Sequence, residues 1–210
     1  MLKINEIYAS IQGESSHTGL PCVFIRLTGC NLRCSWCDTA YAFYEGNDLT
    51  IEETLQKVET FGLGLVEITG GEPLLQEDVY PLMEALLKKG YRVMLETGGA
   101  LPIDKVPEKV IKILDIKCPG SGEKKKNHLE NLKLLSPHDE VKFVLLDRAD
   151  YEWSRDLLQK YDLSTQVLFS PVYDKLNLKD LVQWILEDRL SVRLQTQLHK
   201  VIWSKDTIGV

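Results

Sequence analysis

No stretch of this 210-residue sequence approaches the roughly 18 consecutive apolar residues of a membrane span, so no membrane segment is expected. The opening residues Met1-Leu2-Lys3-Ile4-Asn5-Glu6 lead into no apolar h-region, which argues against a secretory signal. A basic excess is missing as well. Lys and Arg number 25 against 31 Asp and Glu, a formal net charge of −6. Nucleic-acid backbones are held by concentrated Lys and Arg, so nucleic acid is not expected as a partner. The one basic run, Lys124-Lys125-Lys126, reads as a solvated loop. Internal repeats and low-complexity linkers are also lacking. With hydrophobic residues at 44% and charged residues at 27%, the composition suits one domain over 1–210 with one sizeable core. A cytoplasmic location is expected, where disulfides are rare.

Cysteine is scarce, and its few copies are unevenly placed. Three of the five lie between positions 30 and 37, with Cys22 before them and Cys118 far beyond. An odd count with tight clustering points to metal binding or redox chemistry rather than a disulfide framework.

What is plentiful is alternation. Short runs rich in Val, Ile, Leu and Phe predict strands at Val23–Thr28, Leu65–Thr69, Arg92–Glu96, Lys112–Lys117, Val141–Leu146, Gln166–Ser170 and Val192–Gln197. Amphipathic stretches between them predict helices at Thr50–Phe61, Gln76–Lys89, Gly122–Leu135, Ala149–Tyr161 and Leu178–Arg189. Thr50 with Glu53 forms a capping-box pattern, Asn177 suits a helix N-cap, and Gly90 suits a helix stop. A smaller strand at Asn5–Ser10 is expected at one edge. Strand–helix alternation implies a mainly parallel α/β sheet covered by helices, with ligands at the carboxyl ends of the strands.

The segment after Val23–Thr28 reads Gly29-Cys30-Asn31-Leu32-Arg33-Cys34-Ser35-Trp36-Cys37-Asp38. Three thiols spaced C-x3-C-x2-C suit a soft metal or an iron–sulfur cluster. A four-iron cubane held by three cysteines keeps one iron free for a small chelating molecule. A structural zinc site is the alternative. It needs four protein ligands, and His17, Cys22 and Cys118 leave it open on composition. A second motif, Thr69-Gly70-Gly71-Glu72-Pro73, ends the strand Leu65–Thr69. Paired glycines there allow backbone to approach a ligand closely.

The two motifs, in this order, resemble those of the radical S-adenosylmethionine (SAM) superfamily. The resemblance implies a partial (β/α) barrel, a [4Fe-4S] cluster on Cys30, Cys34 and Cys37, and SAM chelating the open iron. Further segments resemble the 7-carboxy-7-deazaguanine synthase family within that superfamily. They are Ser10-Ile11-Gln12-Gly13-Glu14, Cys37-Asp38-Thr39, Glu96-Thr97-Gly98-Gly99, Asp115-Ile116-Lys117-Cys118-Pro119, Phe169-Ser170-Pro171-Val172 and Arg193-Leu194-Gln195-Thr196-Gln197-Leu198-His199-Lys200. The family's reaction contracts 6-carboxy-5,6,7,8-tetrahydropterin to 7-carboxy-7-deazaguanine with loss of ammonia, using SAM catalytically and Mg²⁺.

By that resemblance Thr39 is the Mg²⁺ ligand, and Ile11, Gln12, Gly13, Glu14, Arg26, Thr69 and Val210 meet substrate. Around SAM it places Trp36, Cys37, Asp38, Gly71, Glu72, Lys117, Cys118, Pro119, Ser121, Ser170, Pro171, Val172 and Tyr173. Arg26 also stands on its own chemistry, a fixed cation whose planar fork suits a carboxylate. Glu72 has a second reading as a loop brace. Ser15 departs from the family's usual Gly. His199 and Gln197 are read as structural, and no residue is assigned as a catalytic acid or base. A flavodoxin or ferredoxin donor and a homodimer are implied by resemblance alone. A glycyl-radical-enzyme activase shares the SAM motifs but has no need of Gln12-Gly13-Glu14 or Arg26.

Overall fold

The computed structural model describes residues 1–205 and 207–210. Nine strands form one open sheet: β1 (Leu2–Ile11), β2 (Pro21–Leu27), β3 (Asn47–Leu49), β4 (Leu65–Gly70), β5 (Arg92–Thr97), β6 (Ile111–Ile116), β7 (Glu140–Leu145), β8 (Gln166–Pro171) and β9 (Arg193–Leu194). Their order is β3-β1-β2-β4-β5-β6-β7-β8-β9. From β2 to β9 every neighbour is parallel, and β1 joins β2 and β3 antiparallel. The helices are α1 (Ile51–Glu59), α2 (Val79–Lys88), α3 (Arg148–Leu158), α4 (Leu178–Glu187) and the single turn α5 (His199–Ile202). This is the partial barrel expected of the sequence.

The helix ends follow their local chemistry. Thr50 accepts from the Glu53 N–H while the Glu53 carboxylate accepts from the Thr50 N–H, a complete capping box. Asn177 caps α4 through the Lys179 N–H. Gly90, at φ +87°, ends α2. Its N–H reaches the Leu87 carbonyl and the Tyr91 N–H reaches that of Leu86, the paired bonds of a Schellman stop.

Three expectations are corrected. The segment Gly122–Leu135 is not one helix but two 3-10 turns, Lys124–Lys126 and Leu129–Leu134. Gly122 is left-handed at φ +79°, and the Asn127 amide is spent on both backbone groups of Lys117, at 2.9 Å each. These bonds to the residue that follows β6 compete with helical ones. The N-terminal strand is ten residues long and interior, because the edge is taken by β3, too short and polar to announce itself. The run Val192–Gln197 contributes only the two-residue β9.

Alternation along each parallel strand separates two faces. The outer face carries Ile25, Leu27, Ile68, Leu95, Leu114, Phe143 and Phe169, all buried against the helices. Phe143 and Tyr151 both meet the Phe169 ring edge-on, at 5.6 and 5.8 Å. Burying each such side chain stabilises the fold by about 1.5–3 kcal/mol. The inner face is layered. Cys22, Phe24, Leu65, Met94 and Ile113 form a small apolar cluster toward the strand starts. Above it come Glu67, Glu96, Asp115 and Lys142, and these open into a cavity.

Candidate active site

The cavity has a volume of about 790 Å³, within the usual range for small-molecule sites. Its mouth is built by the loop after β2. Cys30 and Cys34 are half-buried, Cys37 is exposed, and none is paired in a disulfide. All three line the cavity. The Cys37 N–H donates to the Cys34 carbonyl, a turn that folds the loop over its own thiols. Burial pushes the Cys30 and Cys34 thiols above their usual range, so a metal would have to displace protons there.

The neighbouring Gly70-Gly71 turn packs directly on this loop. A Cβ on Gly71 would collide with the Gly29 carbonyl oxygen and the Cys30 side chain. A Cβ on Gly70 would strike the Leu27 backbone, and Gly70 holds φ +141°. Only glycine fits at either position. Among the described residues, no set of three His, Cys, Asp or Glu converges on a point one metal ion would occupy. A cubane gives each thiolate its own iron, so the three-thiol loop fits that cluster without such convergence.

The floor comes from the opposite direction. Because β1 runs antiparallel and Ile11 pairs with Pro21, Gln12-Gly13-Glu14 enters beneath the parallel strands. Gln12 donates to Glu67, and the Gln12 amide oxygen accepts from the Glu14 N–H at 2.8 Å. Glu14 receives Lys142 at 2.9 Å and Gln197 at 2.9 Å. Lys142 also donates to Glu96 and lies 3.8 Å from Asp115, whose other neighbour is Lys117 at 2.9 Å. Burial drives Glu67 well above the ordinary carboxylate range, with Glu96 adding repulsion. Burial also pushes Glu14 upward, but Lys142 outweighs it and holds Glu14 low.

On the β2 wall, Arg26 donates through Nε to Glu6 at 2.6 Å and through Nη2 to the Tyr8 hydroxyl at 2.8 Å. Its guanidinium lies 5.8 and 5.7 Å from the ring centres of Tyr8 and Tyr41. Burial opposes the Arg26 charge, yet these partners keep it firmly protonated. Burial raises the Tyr8 hydroxyl to about 12, with Arg26 pulling the other way.

The end of the chain stitches the site shut. The Leu198 N–H donates to the Gly13 carbonyl at 2.9 Å, and Lys200 donates to Asp38 at 2.6 Å. Gly209 and Val210 line the cavity beside Arg26 and Thr69.

The structure therefore brings Ile11, Gln12, Gly13, Glu14, Arg26, Thr69 and Val210 to one space. Trp36, Cys37, Asp38, Thr39, Gly71, Lys117, Ser170, Pro171, Val172 and Tyr173 line it too. Glu72, Cys118, Pro119 and Ser121 do not. Glu72 is fully buried, and its carboxylate accepts from Leu74, Thr97 and Gly98, the brace reading. Cys118 is buried against Ser154, and Ser121 receives the Ser35 N–H on its carbonyl, supporting the cysteine loop from below. Sequence reasoning missed Lys142, Glu67, Tyr8 and Tyr41. The first two are charges inside apolar strand runs, and that anomaly was the available signal.

Thiols on the loop after the first parallel strand, under a double-glycine turn in a partial barrel, define a radical SAM protein. Residues 24–120 match the Radical SAM superfamily model. The chain belongs to the 7-carboxy-7-deazaguanine synthase family. It is 49% identical to the synthase of Koribacter versatilis across 100% of both chains. It is 45% identical to that of Chlorobaculum tepidum, over 100% of this chain and 97% of the relative. Among solved structures, QueE from Escherichia coli superposes with a TM-score of 0.78 at 25% identity, covering 94% of each chain. Streptococcus suis SuiB, at 15% identity over 80% of this chain and 45% of its own, shares the fold with a TM-score of 0.56.

Proposed function

We propose that this protein contracts 6-carboxy-5,6,7,8-tetrahydropterin to 7-carboxy-7-deazaguanine with loss of ammonia, for queuosine and related 7-deazapurines, residues 1–210 acting as one radical SAM domain. The observation that carries the reading is the single cavity shared by the three-thiol loop, Arg26 and Gln12-Gly13-Glu14. Cys30, Cys34 and Cys37 would hold the [4Fe-4S] cluster. The chemistry a bound, reduced cluster supplies is cleavage of SAM to a 5′-deoxyadenosyl radical able to take hydrogen from C6 of the pterin.

The chain's own residues bind and orient. Arg26 spends Nε and Nη2 on Glu6 and Tyr8, and among the described residues nothing engages Nη1. That edge, flanked by two aromatic rings, suits the substrate carboxylate. The floor carboxylates accept from the ring N–H groups, while Glu67, whose carboxyl burial drives well above its ordinary range, adds a donor. Gly71 lets backbone come close to the amino end of SAM, with Lys117, Ser170, Pro171, Val172 and Tyr173 along the opposite wall. The segment reaching Val210 limits water entry.

The reading extends to Mg²⁺ at Thr39, which keeps most of its waters and needs few protein oxygens. It also extends to a flavodoxin or ferredoxin donor, a cytoplasmic homodimer, and no nucleic-acid or membrane partner. Among the described residues no helix is long and apolar enough to cross a membrane. The activase alternative is not favoured, since the full-length relatives are synthases. The test is an anaerobic incubation of reconstituted protein with SAM, dithionite, Mg²⁺ and the carboxytetrahydropterin, read by mass spectrometry. Product of the 7-carboxy-7-deazaguanine mass supports the reading. SAM cleavage with the pterin untouched would sink it and keep only the superfamily.

A further inference from the structure

Lys142 is a cation set among the floor carboxylates. Its side chain is 5% exposed, it stands in the middle of β7, and it meets Glu14, Glu96 and Asp115 from three different elements. Around it stand Glu67 on β4, Lys117 just after β6 and His199 on α5, with Arg26 farther along the wall. The nearby acceptors are not all spent. The Asp115 Oδ1 atom is buried without a partner, and the second Glu96 oxygen receives nothing among the described residues. An aminopyrimidinone edge, with its ring N–H and 2-amino group, is a row of donors that such oxygens would satisfy.

Carboxylates this close cannot all stay ionised unless a cation sits among them. Protonation would turn acceptors into donors and set them against the ring. We propose that Lys142 is a positioning residue for substrate recognition: set among Glu14, Glu96 and Asp115, it holds their carboxylates aimed so that the floor reads the donor edge of the pterin. It borders the cavity, but its ammonium is engaged by the carboxylates, and it acts through them. This inference rests on the functional reading above.

The experiment uses reconstituted holoenzyme carrying Lys142→Met, with Lys142→Arg as the charge-preserving control. The probe is 6-carboxypterin, the fluorescent oxidised analogue, titrated by its own emission in the presence of SAM. Lys142→Met is expected to raise the probe's Kd about tenfold or more, the scale of losing a charged hydrogen bond. That loss should be larger at about pH 6 than at about pH 7.5, because the uncompensated carboxylates take up protons at the lower pH. The wild type should show a shallower slope. KM for the reduced substrate should rise with kcat less affected. Iron content and SAM-dependent spectral changes should stay at the wild-type level, and Lys142→Arg should recover most of the affinity. If the methionine variant does not fold, Lys142→Gln carries the same expectation.

An unchanged Kd and pH slope in the folded variant, beside a wild type that binds and turns over, would overturn the inference alone. A wild type that neither binds the probe nor converts the reduced pterin would overturn the functional reading, and the inference with it.

Discussion

Arg26 and Glu67 show how single side chains divide the work of the cavity. Arg26→Ala removes the cation without disturbing the cysteine loop, so turnover of the carboxytetrahydropterin should fall at least tenfold while SAM affinity holds. Unchanged turnover would take Arg26 out of the substrate site. Glu67 makes a different prediction. Its folded pKa lies well above that of the unfolded chain, about 4.3. The native state therefore keeps a proton that the unfolded chain releases, and stability declines as pH rises from that value toward the folded one. Glu67→Gln mimics the protonated form. The variant should match the wild type in thermal melts near pH 5 and exceed it near pH 8. A constant gap at both would contradict a neutral Glu67. These two residues also mark the limits of reading the chain alone. Arg26 was visible as a lone cation in an apolar strand beside the thiols. Glu67 and Lys142 sit in equally apolar strands, but their meaning depends on partners up to 128 positions away.

At the level of elements, caps and stops are written locally and emerged as expected. Asn177→Ala removes the side-chain acceptor for the Lys179 N–H and should destabilise the fold by about 1 kcal/mol, seen as a lower denaturant midpoint with an unchanged slope. A loss under a few tenths would mean that α4 is held by packing alone. The thiol loop and the double-glycine turn were legible because each lies within a few residues of chain. The Gly122–Leu135 segment misled because its pattern is amphipathic while its polar groups are claimed elsewhere. Asn131, for instance, bonds both Ile103 and Leu101. The antiparallel run of β1, which carries Gln12-Gly13-Glu14 to the floor, had no local signature. It depends on pairing with β2, whose Pro21 meets Ile11.

For the molecule as a whole, strong acid should loosen the closure of the site. Asp38 is held at about 2, Lys200 outweighing the upward push of burial. A carboxylate with a depressed folded value contributes stability above its ordinary value of 3.8, and that contribution is lost as pH falls toward 2. In the wild type, protection of the α5 amides from hydrogen exchange should fall over that window. Lys200→Met should remove this pH dependence. An equal decline in both proteins would separate α5 docking from the Asp38 pair. The same fastening has a consequence in time. The cysteine loop is synthesised early, and Lys200, which binds Asp38 at the end of that loop, comes 162 positions later, on the order of ten to thirty seconds of translation. During that interval the thiols stand in an unfinished vestibule. Synthesis thus leaves a window in which iron and sulfide can reach the thiols before α5 docks beside them.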